Sequence, residues 1–148
     1  MKKFNFRFQT ILDIRTRELE KAELKVAEAQ RVVLNAKNYL KELQDVFKQV
    51  QLSLKKTVSA RGQINISWVE NHQKYLRATE NKIFKQHKVI KEAENKVDEI
   101  RKEMLLIRQK KLMLDKIKEK DYKNYLKEYE LQDIKIIDEI ATSRFKRD

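Results

Sequence analysis

Beginning at Phe8, one line of residues recurs at alternating steps of four and three: Leu12, Arg15, Leu19, Ala22, Val26, Ala29, Val33, Ala36, Leu40, Leu43, Phe47, Val50, Leu54 and Thr57. Only Arg15 and Thr57 interrupt its apolar character. A seam kept in phase over about seven heptads imposes a left-handed supercoil, because a straight helix of 3.6 residues per turn would rotate it away from its partner. The chain can hardly build anything else. It has one glycine, no proline, 39% charged residues and 8% aromatics in 148 residues, which leaves little material for tight turns or a sheet sandwich. The spacing predicts a first helix over residues 5–58, roughly 75 Å long.

The pattern restarts with Val69, His72, Leu76, Thr79, Ile83, Gln86, Ile90, Ala93, Val97, Ile100, Met104, Ile107, Lys111 and Leu114. The step then becomes four through Lys118, Tyr122 and Leu126, which predicts a local relaxation of the supercoil before Tyr129, Asp133, Ile136 and Ile140 resume. A second, longer helix is expected over residues 67–143.

Between the two runs lies "SARGQINISWVE", which holds the single glycine. Gly62 suits the left-handed residue that ends a helix, and Ser67 with Glu70 forms an S-x-x-E capping box for the next one. A turn over residues 59–66 is predicted, with a continuous helix through a tolerated glycine as the alternative. The fold class is then all-α: one antiparallel two-helix coiled-coil hairpin spanning 1–148, with unequal arms and helix 2 the longer.

If the chain folds back, residue numbers in contact should keep a constant sum of about 126, with sums of 119 or 133, one heptad away, as the alternatives that would lengthen or strain the loop. Small residues then meet large ones, as where Ala22, Ala29 and Ala36 face Met104, Val97 and Ile90. Arg15 faces Lys111 and Phe8 faces Lys118, so the end carrying both termini is basic and poorly packed. Helix 2 outlasts its partner beyond about residue 119, leaving Tyr122, Leu126, Tyr129, Ile136 and Ile140 as an unpaired stripe suited to a partner or to self-association. Beside the seam, Val32, Tyr39 and Val46 on helix 1, with Tyr75 and Val89 on helix 2, widen the apolar surface or offer a second interface.

The sequence argues against chemistry of its own. A P-loop needs at least two glycines in one short loop. His72 and His87 stand fifteen residues apart on one helix, about 22 Å by helical rise, too far to share a metal ion. There is no cysteine, hence no disulfide and no thiolate metal site. The reading is a non-enzyme with no cofactor, no metal and no small-molecule ligand. The start "MKKFNFRFQT" runs into "ILDIRTRELE" without the apolar block of a signal peptide, and no stretch reaches the roughly 20 apolar residues of a membrane span, so a cytoplasmic protein is expected.

A net charge of +12 invites a nucleic-acid reading. The basic residues alternate with 23 acidic ones, without aromatic interleaving for base stacking, so solubility or steering towards an acidic protein surface explains the excess and no nucleic acid is expected. A basic coiled-coil arm on nucleic acid and a self-associating structural coiled coil stand as alternatives.

Three stretches carry a family likeness: the opening "FNFRFQTILDIRTRELEKAELKVAEAQ", the helix entry "WVENHQKYL" and the near-terminal "IIDEIATSRF". They resemble the flagellar type III export protein family FliJ, end to end. The most telling features are the aromatic-x-aromatic start followed by Ile11, Leu12 and Arg15, and the tetrapeptide Asp138 to Ala141, which matches the D-E-[LIF]-A close of that family. The resemblance implies a coiled coil similar to the gamma subunit of rotary ATPases. It implies an adaptor that binds and stimulates the hexameric flagellar export ATPase, engages the cytoplasmic part of the export gate membrane protein, and binds flagellar substrate chaperones. The implied location is cytoplasmic, peripheral to the inner face of the cell membrane. An injectisome stalk counterpart of the same design is the alternative. By that likeness the ATPase would be met at the termini end by Phe4, Phe8, Leu12, Arg15, Arg17, Tyr129, Ile136, Asp138, Glu139 and Ile140. The gate would be met near the turn by Tyr39, Leu43, Val46, Val50 and Tyr75.

Overall fold

The computed structural model describes residues 3–60 and 62–145. Two helices account for nearly all of them: α1, Gln9–Ser59, and α2, Ile66–Phe145, of 51 and 80 residues. They form an antiparallel hairpin whose second arm is the longer, with no strand among the described residues. Every seam position named above from Phe8 to Thr57 and from Val69 to Leu114 is buried or half-buried. The heptads therefore decide which face of each helix leaves water.

The chain divides into two compact units, one of Met1–Glu23 with Glu103–Asp148 and one of Leu24–Lys102. In the first, Phe6, Leu12 and Ala22 are the buried apolar residues. Here α1 begins at Gln9, four residues later than the spacing predicts. The reason lies in Phe4, Phe6 and Phe8: these alternate rings are buried or half-buried while Asn5 and Arg7 are exposed, and the Gln9 N–H donates to the Phe6 carbonyl at 3.1 Å in a turn that leads into the helix. Phe6 is only 4% exposed. Lys118 Nζ lies 6.0 Å from its ring centroid, and Phe4 packs edge-on against Tyr122 at 5.2 Å and against Tyr125 at 5.4 Å. The segment before α1 thus covers α2 as far as Tyr125, further than the first helix alone would.

This also corrects the expected change of step after Leu114. Burial continues at three and four, through Lys118, Asp121 and Tyr125, while Tyr122 and Leu126 are 46% and 40% exposed. A seam residue there is chosen by what Phe4 and Phe6 reach, not by apolar identity.

The second unit has Val26, Ile90 and Val97 as its apolar core and Thr79 as its buried polar residue. Thr79 Oγ1 donates to the Tyr75 carbonyl at 2.8 Å, so its burial leaves no orphan. Gln86 Nε2 donates to the Ala36 carbonyl on the facing helix at 2.9 Å. A polar seam residue with a partner across the interface fixes register, as buried amides do in coiled coils.

The register agrees with a sum near 126 in each unit. Phe4 with Tyr122 gives 126 and Gln9, whose Oε1 accepts from Lys118 Nζ at 2.8 Å, gives 127. The flanking ion pairs Lys37 with Glu94, at 2.9 Å, and Glu23 with Arg108, at 3.4 Å, both give 131. The five extra are what antiparallel helices require of residues that each lie one position past a layer. These pairs are half exposed and contribute alignment more than stability.

The turn departs from expectation in its caps. Gly62 does not take the left-handed conformation. Helix α1 ends at Ser59, with the Ala60 N–H still donating to the Lys56 carbonyl at 3.1 Å, so no glycine is needed to close it. At the other side α2 starts at Ile66, and Asn65 is its cap. The Asn65 Oδ1 accepts a long bond from the Trp68 N–H at 3.4 Å, and its carbonyl accepts the first helical bond from Val69 at 3.1 Å. Asn caps as well as Ser does. Ser67 and Glu70 consequently lie inside the helix rather than forming a capping box.

Candidate partner-binding surfaces

In the unit that holds the termini, the exposed surface is the tail of α2. Every described residue from Leu126 onward is exposed, among them Leu126, Tyr129, Leu131, Ile134, Ile136, Ile137 and Ile140. Ile136 and Ile140, four apart, lie on one face with Tyr129, and a helix that leaves such a stripe in water has an amphipathic surface without its partner. Residues 128–143 carry five carboxylates, Glu128, Glu130, Asp133, Asp138 and Glu139, against the single cation Lys135. The stripe is acidic on a basic chain.

The aromatic run Tyr122, Tyr125 and Tyr129 leads into it, with neighbouring centroids 6.3 and 6.4 Å apart. Phe4 therefore sits at the boundary between paired and unpaired α2, half-buried against two of these rings. Phe8 is half-buried, 5.8 Å from the Phe6 ring, with the Arg7 guanidinium 5.5 Å from its own centroid. Leu12, at 6% exposure, is core, so it holds this surface in place and does not form part of it. Arg17 is exposed.

The two cations that the register brings into the basic seam are neutralised along their own helices. Arg15 Nη1 donates to Glu18 at 2.7 Å, and Lys111 Nζ lies 3.7 Å from Asp115. Further along α2, Lys123 donates to Glu119 at 2.6 Å and holds that carboxyl below its ordinary range. Arg15 is thus paired along its own helix and about a third exposed at the edge of the seam.

In the other unit, Tyr39 and Tyr75 are about half exposed, while Leu43, Val46 and Val50 are half-buried. Val50, Asn71, His72 and Tyr75 line one shallow groove, which joins two of the five turn-end residues. His72 is a satisfied polar residue there. Its ring stacks on Trp68 at 3.8 Å and its Nδ1 lies 2.8 Å from the Trp68 carbonyl oxygen. A second groove, floored by Val33 and Val97 and rimmed by Lys37, Glu94, Asp98 and Arg101, follows the seam and has no counterpart in the heptad reading.

No group of three or more His, Asp or Glu side chains is close enough to hold a metal ion among the described residues. No helix among them is long and apolar enough to cross a membrane. The surfaces present apolar stripes and charge, which is equipment for binding.

The residues missed by sequence reasoning are Phe6 and Tyr125. Both were legible as chemistry, and the period of two in F-x-F-x-F was the available signal.

Comparison with known proteins gives a family match. No curated protein and no solved structure matches the chain. The family model of the flagellar FliJ protein matches residues 4–148, which takes in both helices, the turn and the aromatic start. The two-helix hairpin with its longer second arm and this match over essentially the whole length lead to one conclusion: the chain belongs to the flagellar FliJ family and is a protein of the flagellar export apparatus.

Proposed function

We propose that this protein is a non-enzymatic adaptor of flagellar export that binds the hexameric export ATPase through its termini end. The observation that carries the reading is the exposed, acidic stripe of Tyr129, Ile136 and Ile140 on the tail of α2. A helix face of this kind binds by laying its apolar side chains in a groove, and Asp133 and Glu139 at its edges select a basic rim, with Asp138 on the far side of the helix adding to the negative field. Phe4 borders the tail at Tyr122 and Tyr125, while Phe8 and Arg17, which the register sets near residues 118 and 109 of α2, would extend the contact along the paired part of the hairpin. Binding several ATPase subunits at once would favour ring assembly and raise turnover.

The flank of Tyr39, Val46, Val50 and Tyr75, with Leu43 behind it, is the proposed contact for the cytoplasmic part of the export gate. Tyr39 and Tyr75 are the exposed anchors of the kind that dominate interfaces. Substrate chaperones are the third class of partner, suggested by family alone.

ATP hydrolysis by the cognate ATPase, measured with and without this chain, tests the reading. Stimulation together with co-sedimentation of the two proteins is expected. If neither occurs, the adaptor reading fails. Lost stimulation with Ile136→Ser/Ile140→Ser, at unchanged helicity, would assign the contact to the tail.

A further inference from the structure

Two thirds of the net charge sits in less than a third of the chain. Residues 48–91 hold ten basic and two acidic residues, or +8 of the total +12. The turn is the extreme case: no acidic residue lies between Asp45 and Glu70, whereas Lys48, Lys55, Lys56 and Arg61 do. All of this belongs to the unit Leu24–Lys102.

The same stretch exposes aliphatic side chains. Ile66 is 71% exposed, Leu52 57%, Val58 56% and Ile64 45%, with Trp68 half-buried beside them. A Cβ built at Gly62 meets nothing within 4 Å, and the described turn residues 58–60 and 62–67 are exposed. Beyond it, Lys74, Arg77, Lys85 and Lys88 fall within one outward arc of α2, all exposed, and Lys88 Nζ lies 4.9 Å from the centroid of the exposed Phe84 ring.

Cations around exposed aliphatic groups, with carboxylates excluded, match one partner chemistry best. Nucleic acid would reward the cations, but its bases stack on aromatic faces and would leave Val58, Ile64 and Ile66 in water. An anionic bilayer rewards both. Phosphate-bearing headgroups attract Lys and Arg, and the boundary with the acyl chains accepts Ile, Val and Trp, whereas a carboxylate there would be repelled. A bilayer also needs no matching groove, which suits a turn that projects side chains without enclosing a cavity.

We propose that the turn and the helix ends beside it, residues 52–60 and 62–68, dock this protein on an anionic membrane surface. Val58, Ile64 and Ile66 enter the headgroup boundary, and Lys55 and Lys56 stay at the phosphates. The contact is peripheral, and it does not depend on the proposed ATPase contact.

The single tryptophan, Trp68, reports on it directly. The full chain is mixed with vesicles of equal parts phosphatidylcholine and phosphatidylglycerol, and with vesicles of phosphatidylcholine alone. A blue shift of Trp68 emission and co-sedimentation are expected with the anionic vesicles only, weakening with added salt. Lys55→Glu/Lys56→Glu should weaken binding by more than about tenfold, since each basic residue near such a surface contributes close to a factor of five or more. Ile64→Ser/Ile66→Ser should weaken it several-fold and abolish the blue shift, with circular dichroism unchanged in both. Lys116→Glu/Lys120→Glu, in the other unit, should bind like the parent. The proposal is overturned by equal binding to both vesicle types, by no binding, by equal weakening from the Lys116/Lys120 pair, or by capture of single-stranded polyuridine without any vesicle binding.

Discussion

The tail of α2 and the turn both leave aliphatic side chains in water, yet their charges have opposite sign. Around Ile136 and Ile140 the chain places five carboxylates and one lysine in residues 128–143; around Ile64 and Ile66 it places four cations and no carboxylate in residues 46–69. Apolar area of similar kind supplies adhesion at each. Charge then decides what may adhere, because a like-charged partner is rejected at a cost of several kcal/mol, on the order of the whole attraction. A chain with a uniform +12 would have two sites competing for the same acidic partners. This one keeps them separate.

The comparison can be broken at the tail first. Ile136→Asp/Ile140→Asp should remove ATPase stimulation altogether while vesicle binding through the turn persists. Loss of both would mean that the two surfaces are not independent. Next in size is the seam on which both rest. Ile90→Ala, at a position 8% exposed, should cost about 2 kcal/mol, at the low end for such truncations because a two-helix seam relaxes into water. Thermal unfolding followed by circular dichroism measures it, and a cost below about 0.5 kcal/mol would show that Ile90 is not part of a packed layer.

Phe4→Ala sharpens the boundary of the tail. It should release the Tyr122 and Tyr125 rings, cost on the order of 1 kcal/mol as a lost terminal aromatic pair, and lengthen the exposed stripe towards residue 122. Faster amide exchange confined to the start of the chain would report it. Asn65→Ala should cost about 0.5–1 kcal/mol as a lost cap, with Ser67→Ala nearly neutral. If the serine proves the costlier, the cap has been assigned to the wrong residue. The smallest effect belongs to Gly62→Ala. With open space at the added Cβ and no left-handed backbone to relieve, it should be neutral or stabilise by up to about 0.5 kcal/mol through the unfolded chain.

The fold was legible because heptads encode it twice, once as helix and once as partner. Arg15, Thr57, His72, Gln86 and Lys111 follow the seam despite their polarity, so position outweighed identity. Local features were read less well for the same reason. Counting threes and fours absorbs Phe8 and overlooks that Phe4, Phe6 and Phe8 alternate, which is why α1 starts later than predicted. It also set Tyr122 and Leu126 in place of Asp121 and Tyr125. Asn65 and Ser67 are equally good caps by chemistry, and only the position of the first helical bond separates them. As for the candidate site, the tail stripe was visible as an amphipathic pattern without a partner. The basic turn was hidden by averaging charge over both helices.

The aromatic clasp at the start of the chain has a consequence for synthesis. Phe4 leaves the ribosome more than a hundred residues before Tyr122 and Tyr125, the rings that receive it. Closing so large a loop is entropically the costliest contact in the chain and must follow the others. Until those rings are made, the F-x-F-x-F segment is therefore an uncovered apolar stretch, open to any chaperone that patrols nascent chains.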